Sequence, residues 1–185
     1  MKPRRRLRGA EESERGFTLI ELMVVILIIA ILLAIAIPTF LGARTRAQDR
    51  AAQSSLRNAL TSADVGYANM DSYFQSDATH LTSLEPALTF CDATTQATAC
   101  SGGSTSTSPN EISVAQGDVV SGPQQWGGAA LSKSGTCFYV SVVKAGTGSN
   151  NKGVGTWYGQ DNSSSAAANC TGAKALTVST NNSWT

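Results

Sequence analysis

Arg15-Gly16-Phe17-Thr18-Leu19-Ile20-Glu21-Leu22-Met23-Val24-Val25 opens an apolar run that continues to Leu41 and is punctuated by Glu21, Pro38 and Thr39. Residues 22–37 carry no polar side chain. With 17–21 ahead and 39–41 behind, the run has the length of one bilayer crossing. Glu21 is the anomaly in it, because a lone carboxylate near the middle of a bilayer costs about 3 kcal/mol on insertion scales, less near the interface.

The flanks differ in charge. Residues 1–16 hold six Lys or Arg and three Glu, a side-chain balance of +3, and the remaining chain holds eight basic and ten acidic residues. Lys and Arg resist translocation, so the basic leader points the N-terminus toward the cytoplasm. Arg44, Arg46, Arg50 and Arg57 on the far side weaken that signal. An exported remainder would place the four cysteines, Cys91, Cys100, Cys137 and Cys170, in an oxidising compartment. Three pairings are open. Cys91 with Cys100 and Cys137 with Cys170 is preferred, since each pair is nested within one polar segment, and such loops contribute about 2.7 and 3.8 kcal/mol in the chain-entropy model.

Past Gly42 the pattern becomes amphipathic, with Leu56, Ala59, Leu60, Ala63, Tyr67, Met70 and Phe74 at helical spacing. One near-continuous helix is predicted over about 18–74, bent or locally unwound between Pro38 and Gly42, because Pro38 lacks the N–H that would bond Ala34 and its ring crowds that carbonyl. The segments expected are a leader over 1–16, a membrane and polymerisation helix over 17–41, an amphipathic helix over 42–76 and a β-rich head over 77–185. In the head, short β-rich stretches at 111–116, 136–144, 153–160 and 175–180 are separated by Gly, Ser and Asn, which predicts an antiparallel sheet of about four strands. Alternation along 137–143 predicts one face packed on the helix, either Phe138, Val140 and Val142 or the opposite set, with the other face outward. The fold class is α+β.

The string from Arg15 to Leu41 resembles the N-terminus of type IV prepilins and of their relatives, the pseudopilins of type II secretion. The resemblance is looser through the amphipathic helix and nearly silent beyond Thr79. It implies that a membrane-embedded prepilin peptidase cuts between Gly16 and Phe17 and that Phe17 becomes the methylated N-terminus. Glycine before the cut lets an extended backbone enter a protease cleft without a side-chain clash. The cut creates an amine at Phe17, and Glu21, four residues on, is an available countercharge. In the related filaments the acid engages the amine of the adjacent subunit, which implies an assembly role for Glu21 and Phe17. Lipid tails are as apolar as leucine, so exchanging lipid for neighbouring helices has little hydrophobic drive. The resemblance accordingly implies an inner-membrane platform protein and a cytoplasmic assembly ATPase. Head-to-tail contacts that do not close give a helical filament of identical subunits.

The function expected is a structural pilin: a single-pass protein of the cytoplasmic membrane with a cytoplasmic N-terminus before assembly, and a cell-surface filament after it. A Ser/Thr/Gly-rich head with two disulfides suits prolonged exposure and favours a pilin over a pseudopilin; the alternatives are a major pseudopilin of type II secretion and a DNA-uptake pilin. Two blander readings compete: a secretory signal cut after Ala34-Ile35-Ala36, and a simple one-span membrane protein. An enzyme is not expected. His80 is the only histidine, lies in a polar context and has no triad companions. The cysteines lack zinc-site spacing, so no metal or cofactor is expected, and Asp161-Asn162-Ser163 reads as a solvated turn rather than a Ca²⁺ loop. From Gln75 onward four basic residues face six acidic ones, which argues against general nucleic-acid attraction. Trp126, Trp157, Tyr158 and Trp184 are read as packing residues. The sequons at Asn162 and Asn169 offer sites for sugars on a surface.

Overall fold

The computed structural model describes residues 16–92, 100–117 and 124–184. The predicted leader, residues 1–15 of it, lies outside the described residues, as does the interior of the Cys91 to Cys100 loop. The chain divides into two compact units, 1–42 and 43–185.

The first unit is helical. Helix α1, Leu19–Met70, begins here and is unbroken through Pro38 and Gly42, so no unwound turn separates its halves. Next to Pro38, the Thr39 hydroxyl donates to the carbonyls of Ala36 at 2.9 Å and Ile35 at 3.3 Å, adding side-chain bonds to the turn where proline withholds its N–H.

In the second unit the rest of α1 buries Ala52, Ser55, Leu56, Ala59, Ser62, Ala63 and Gly66. These recur every three or four residues and form one stripe. Leu60 and Tyr67 pack at its margin, whereas Met70 and Phe74, predicted for the same stripe, are 51% and 64% exposed. The helix stops short of Phe74 because Asp71 takes a left-handed φ of 51° and a 3-10 turn, Tyr73–Gln75, folds back. Gly66 permits that return. A Cβ on it would meet Ser76 Oγ at 2.7 Å and the Gln75 carbonyl at 2.9 Å. Ser76 then donates to the Ala63 carbonyl. A short helix α2, Ala78–Leu84, follows; Asp77 caps it by accepting from the His80 N–H at 2.9 Å and also contacts His80 Nδ1.

Five strands form one sheet in the order β1 to β5: β1 Thr89–Cys91, β2 Glu111–Gly117, β3 Gln125–Leu131, β4 Cys137–Val143 and β5 Gly155–Asp161. The predicted count of about four is corrected to five, and the sheet is mostly antiparallel, since β1 joins β2 in parallel. Two strands were not predicted. β1 is only three residues long. β3 reads Gln-Trp-Gly-Gly-Ala-Ala-Leu, a composition poor in strand formers, yet it is buried throughout. Its small residues let other elements approach both faces. A Cβ on Gly127 would lie 2.8 Å from Leu176 Cδ2, and one on Gly128 would lie 3.1 Å from Leu56 Cδ1.

The strand predicted at 175–180 is instead a helix, α3 Gly172–Val178. Thr171 caps it by accepting from the Lys174 N–H at 3.2 Å. Gly172 lies so close to β2 that a Cβ would fall 2.2 Å from the Val114 carbonyl carbon. Helix α3 covers the second face of the sheet, which corrects the expectation of an outward face on β4. Phe138, Val140 and Val142 join the core with Leu56 and Trp126, and Cys137 and Tyr139 pack with Ala129, Ala175 and Cys170. The structure joins Cys91 to Cys100 and Cys137 to Cys170. Trp126 is fully buried with its Nε1–H on the Ser76 carbonyl. Trp184 stands edge-on to Phe138 and Tyr158 under the Arg57 guanidinium.

The Ser/Thr-rich stretch before β2 is ordered by one carboxylate. Glu111 accepts through Oε1 from the Ser101 N–H at 3.2 Å and hydroxyl at 2.8 Å, and through Oε2 from the Thr107 N–H at 3.0 Å and its hydroxyl. Burial raises its pKa, the bonds from Thr107 and Ser101 lower it, and the net lies below the ordinary 4.5. A carboxyl with a depressed folded-state pKa stabilises fully above its unfolded value and loses that contribution as pH falls through the folded one. Amide exchange over 100–108 is therefore expected to be slow above pH 4.5 and to accelerate as the pH falls further below that value. In Glu111→Gln this segment should exchange fast at every pH. A stretch that stays protected in acid would show that Glu111 does not hold it.

Candidate assembly site at the N-terminal segment

Helix α1 begins at Leu19, so Thr18 is its N-cap and Glu21 its third helical residue. The pair bonds reciprocally. Glu21 Oε2 accepts from the Thr18 N–H at 2.9 Å and the Thr18 hydroxyl at 2.8 Å, and Thr18 Oγ1 accepts from the Glu21 N–H at 3.3 Å. This is a capping box, which satisfies backbone donors that a helix start otherwise leaves unpaired. The T-x-x-E spacing of Thr18-Leu19-Ile20-Glu21 announces it. The sequence reading took Glu21 only as the countercharge to a Phe17 amine and passed over Thr18.

The box leaves part of the carboxylate available. Both bonds fall on Oε2, and Oε1 accepts none among the described residues. The positive end of the helix macrodipole favours an anion at this position as well. Phe17 is 86% exposed, and among the described residues, chain neighbours aside, a Cβ on Gly16 would meet no atom within 4 Å.

Every large apolar side chain from Phe17 to Leu41 is at least 48% exposed. Among the described residues this is the one helix long and apolar enough to cross a membrane. Patches this large on a protein surface mark contact with lipid or with other protein.

The other candidates do not assemble into chemistry. His80 belongs to the α2 cap, Asp161 accepts from the Ser163 N–H at 2.9 Å in a turn, and all four cysteines are in disulfides. No cluster of three or more His, Cys, Asp or Glu is placed to hold a metal among the described residues.

Residues 13–37 match the family described as "Prokaryotic N-terminal methylation motif". Over 59 residues the chain is 44% identical to the type IV major pilin protein PilA of Myxococcus xanthus, which covers 32% of this chain and 27% of that protein. Over 66 residues it is 39% identical to the type IV wide pilus major component PilA4 of Thermus thermophilus, covering 36% of this chain and 50% of that protein. The chain thus spans about a quarter of one relative and half of the other. No solved structure matches it.

Proposed function

We propose that the chain, whose N-terminal segment is similar to those of type IV pilins, is a member of that superfamily and a structural subunit of a type IV pilus-like filament. Prepilin peptidase cuts it between Gly16 and Phe17, and Phe17 becomes the methylated N-terminus. Before assembly, residues 17–41 hold the subunit in the cytoplasmic membrane with its N-terminus inside. Pro38 and Gly42 are where the helix bends. After assembly the same residues pack against copies of themselves in a cell-surface filament, with the 77–185 head outside.

The observation that carries this reading is the exposed apolar run, which has a capped start and is left uncovered among the described residues of its unit. In the membrane lipid covers it, and in the filament other subunits do. Because the exchange is nearly neutral, a platform protein and an ATPase supply the work and Glu21 supplies the register. Its free oxygen takes the amine of a neighbouring Phe17 while the other stays on Thr18. A cation and an anion that would each be costly in an apolar setting thereby neutralise one another.

Mass analysis of the mature protein tests the first step, and electron microscopy of sheared surface material tests the last. The mature chain should begin at Phe17 and carry one extra methyl group. Gly16→Leu should leave the leader attached. Among the described residues, chain neighbours aside, no atom stands within 4 Å of a Cβ at Gly16, so a failure there reports on the peptidase cleft and not on misfolding. A Gly16→Leu chain that matures normally would remove the cleavage assignment.

A further inference from the structure

Arg44 is the first charged residue after the apolar run, three positions past Leu41 on the same helix and about 4.5 Å further along its axis. On the reading that residues 17–41 cross a bilayer, its side chain reaches headgroup level. Arg44 lines an open cleft of about 600 Å³ that lies within the second unit. Lys133, in the turn between β3 and β4, lines it as well, together with Ser108 and Asn110 from the segment before β2.

The cleft is built for an anion with an apolar body. No Asp or Glu lines it, and neither Arg44 nor Lys133 forms an ion pair among the described residues. Asn110 accepts from the Ser55 hydroxyl through Oδ1 at 3.3 Å, which leaves its amide nitrogen to donate to a ligand. The Ser134 hydroxyl donates to Asp49 Oδ1 at 2.5 Å, so the turn that carries Lys133 is fastened to α1. Ala51 and Pro109 supply apolar wall. Beyond Gln75 acidic residues outnumber basic ones, so this paired positive charge is local and does not serve general phosphate binding.

We propose that this cleft binds the phosphate headgroup of an anionic phospholipid while the subunit resides in the membrane. Arg44 and Lys133 pair with the phosphate, Asn110 and Ser108 donate to its ester or glycerol oxygens, and the apolar wall meets the glycerol backbone. Extraction into a filament then includes releasing a lipid. The proposal rests on the membrane-resident precursor described above.

Native mass spectrometry of the full chain in detergent micelles doped with phosphatidylglycerol or phosphatidylcholine tests it. Wild type should retain phosphatidylglycerol in preference. Each basic residue near an anionic surface strengthens binding about fivefold, so Arg44→Gln with Lys133→Gln should weaken retention about 30-fold. Lys174→Gln, at an exposed position of α3, should leave it unchanged. Equal retention of both lipids, or undiminished retention by the double variant, would overturn the site. Complete displacement by inorganic phosphate at the lipid's own concentration would also overturn it, since the free anion would then suffice. A chain that stays dissolved without detergent would instead remove the membrane reading, whereas a need for detergent without lipid preference defeats the headgroup site alone.

Discussion

Glu21→Gln should abolish filaments as completely as Glu21→Ala, with insertion and processing intact in both. The comparison matters because the structure gives Glu21 two roles that alanine removes together. One is the capping box with Thr18, in which a cap is worth about 0.5–2 kcal/mol. The other is the negative charge, whose uncompensated cost in the membrane is about 3 kcal/mol. Glutamine at the third helical position can still accept from Thr18, so it retains the box and loses only the charge. If neutralisation of a neighbouring amine sets the register, sheared fibre yield from Glu21→Gln should fall by more than about tenfold, as a deficit above about 1.4 kcal/mol requires. Fibre at wild-type yield from Glu21→Gln, with none from Glu21→Ala, would reduce Glu21 to a helix cap. Thr18→Val separates the roles from the other side: it removes the hydroxyl and keeps the charge, and should cost far less fibre than Glu21→Gln.

The legibility of this fold in its sequence divides by what each residue answers to. The long helix was readable because its apolar run and its later 3.6-residue stripe are dictated along the chain itself, and its true end at Met70 was missed because Asp71 in a left-handed conformation leaves no pattern upstream. Strands β2, β4 and β5 were readable from β-branched and aromatic residues. Strand β3 was not, because Gly127, Gly128, Ala129 and Ala130 answer to the elements pressed on both faces and not to local strand preference. The segment Ala175-Leu176-Thr177-Val178 satisfies a strand's alternation and a helix's third-residue spacing alike. The Thr171 cap and the contact of Gly172 with β2 decide between them. At the N-terminus, Gly16, Phe17 and Glu21 were visible as a motif, and Thr18 carried an equally legible T-x-x-E signal that a purely electrostatic reading of Glu21 passed over.

Replacing Cys137 and Cys170 together by alanine should lower the stability of the head by about 3.8 kcal/mol, against about 2.7 kcal/mol for the Cys91 and Cys100 pair, because the longer loop confines the unfolded chain more. Alanine is the proper replacement, since both sulfurs are fully buried and a serine hydroxyl there would add an unsatisfied polar group. The Cys137–Cys170 bond also fastens the turn before α3 to the start of β4, so its loss should release α3 from β3 and β4 before the α1 face of the sheet opens. Denaturant titration of the full chain in micelles reads the stability, and amide exchange reads the order of opening, with 172–178 exposed first. Three other ties cross the same region: the Tyr139 hydroxyl donates to the Asn169 carbonyl at 3.2 Å, the Ser106 N–H to the Cys170 carbonyl at 2.9 Å and the Gly172 N–H to Ser113 Oγ at 2.9 Å. Neutral hydrogen bonds of this kind contribute about 1 kcal/mol each, less together than the disulfide, and Lys152 Nζ adds a bond to the Leu176 carbonyl of α3 at 2.6 Å. A double-alanine head with wild-type stability and a protected α3 would show that those bonds suffice without the disulfide.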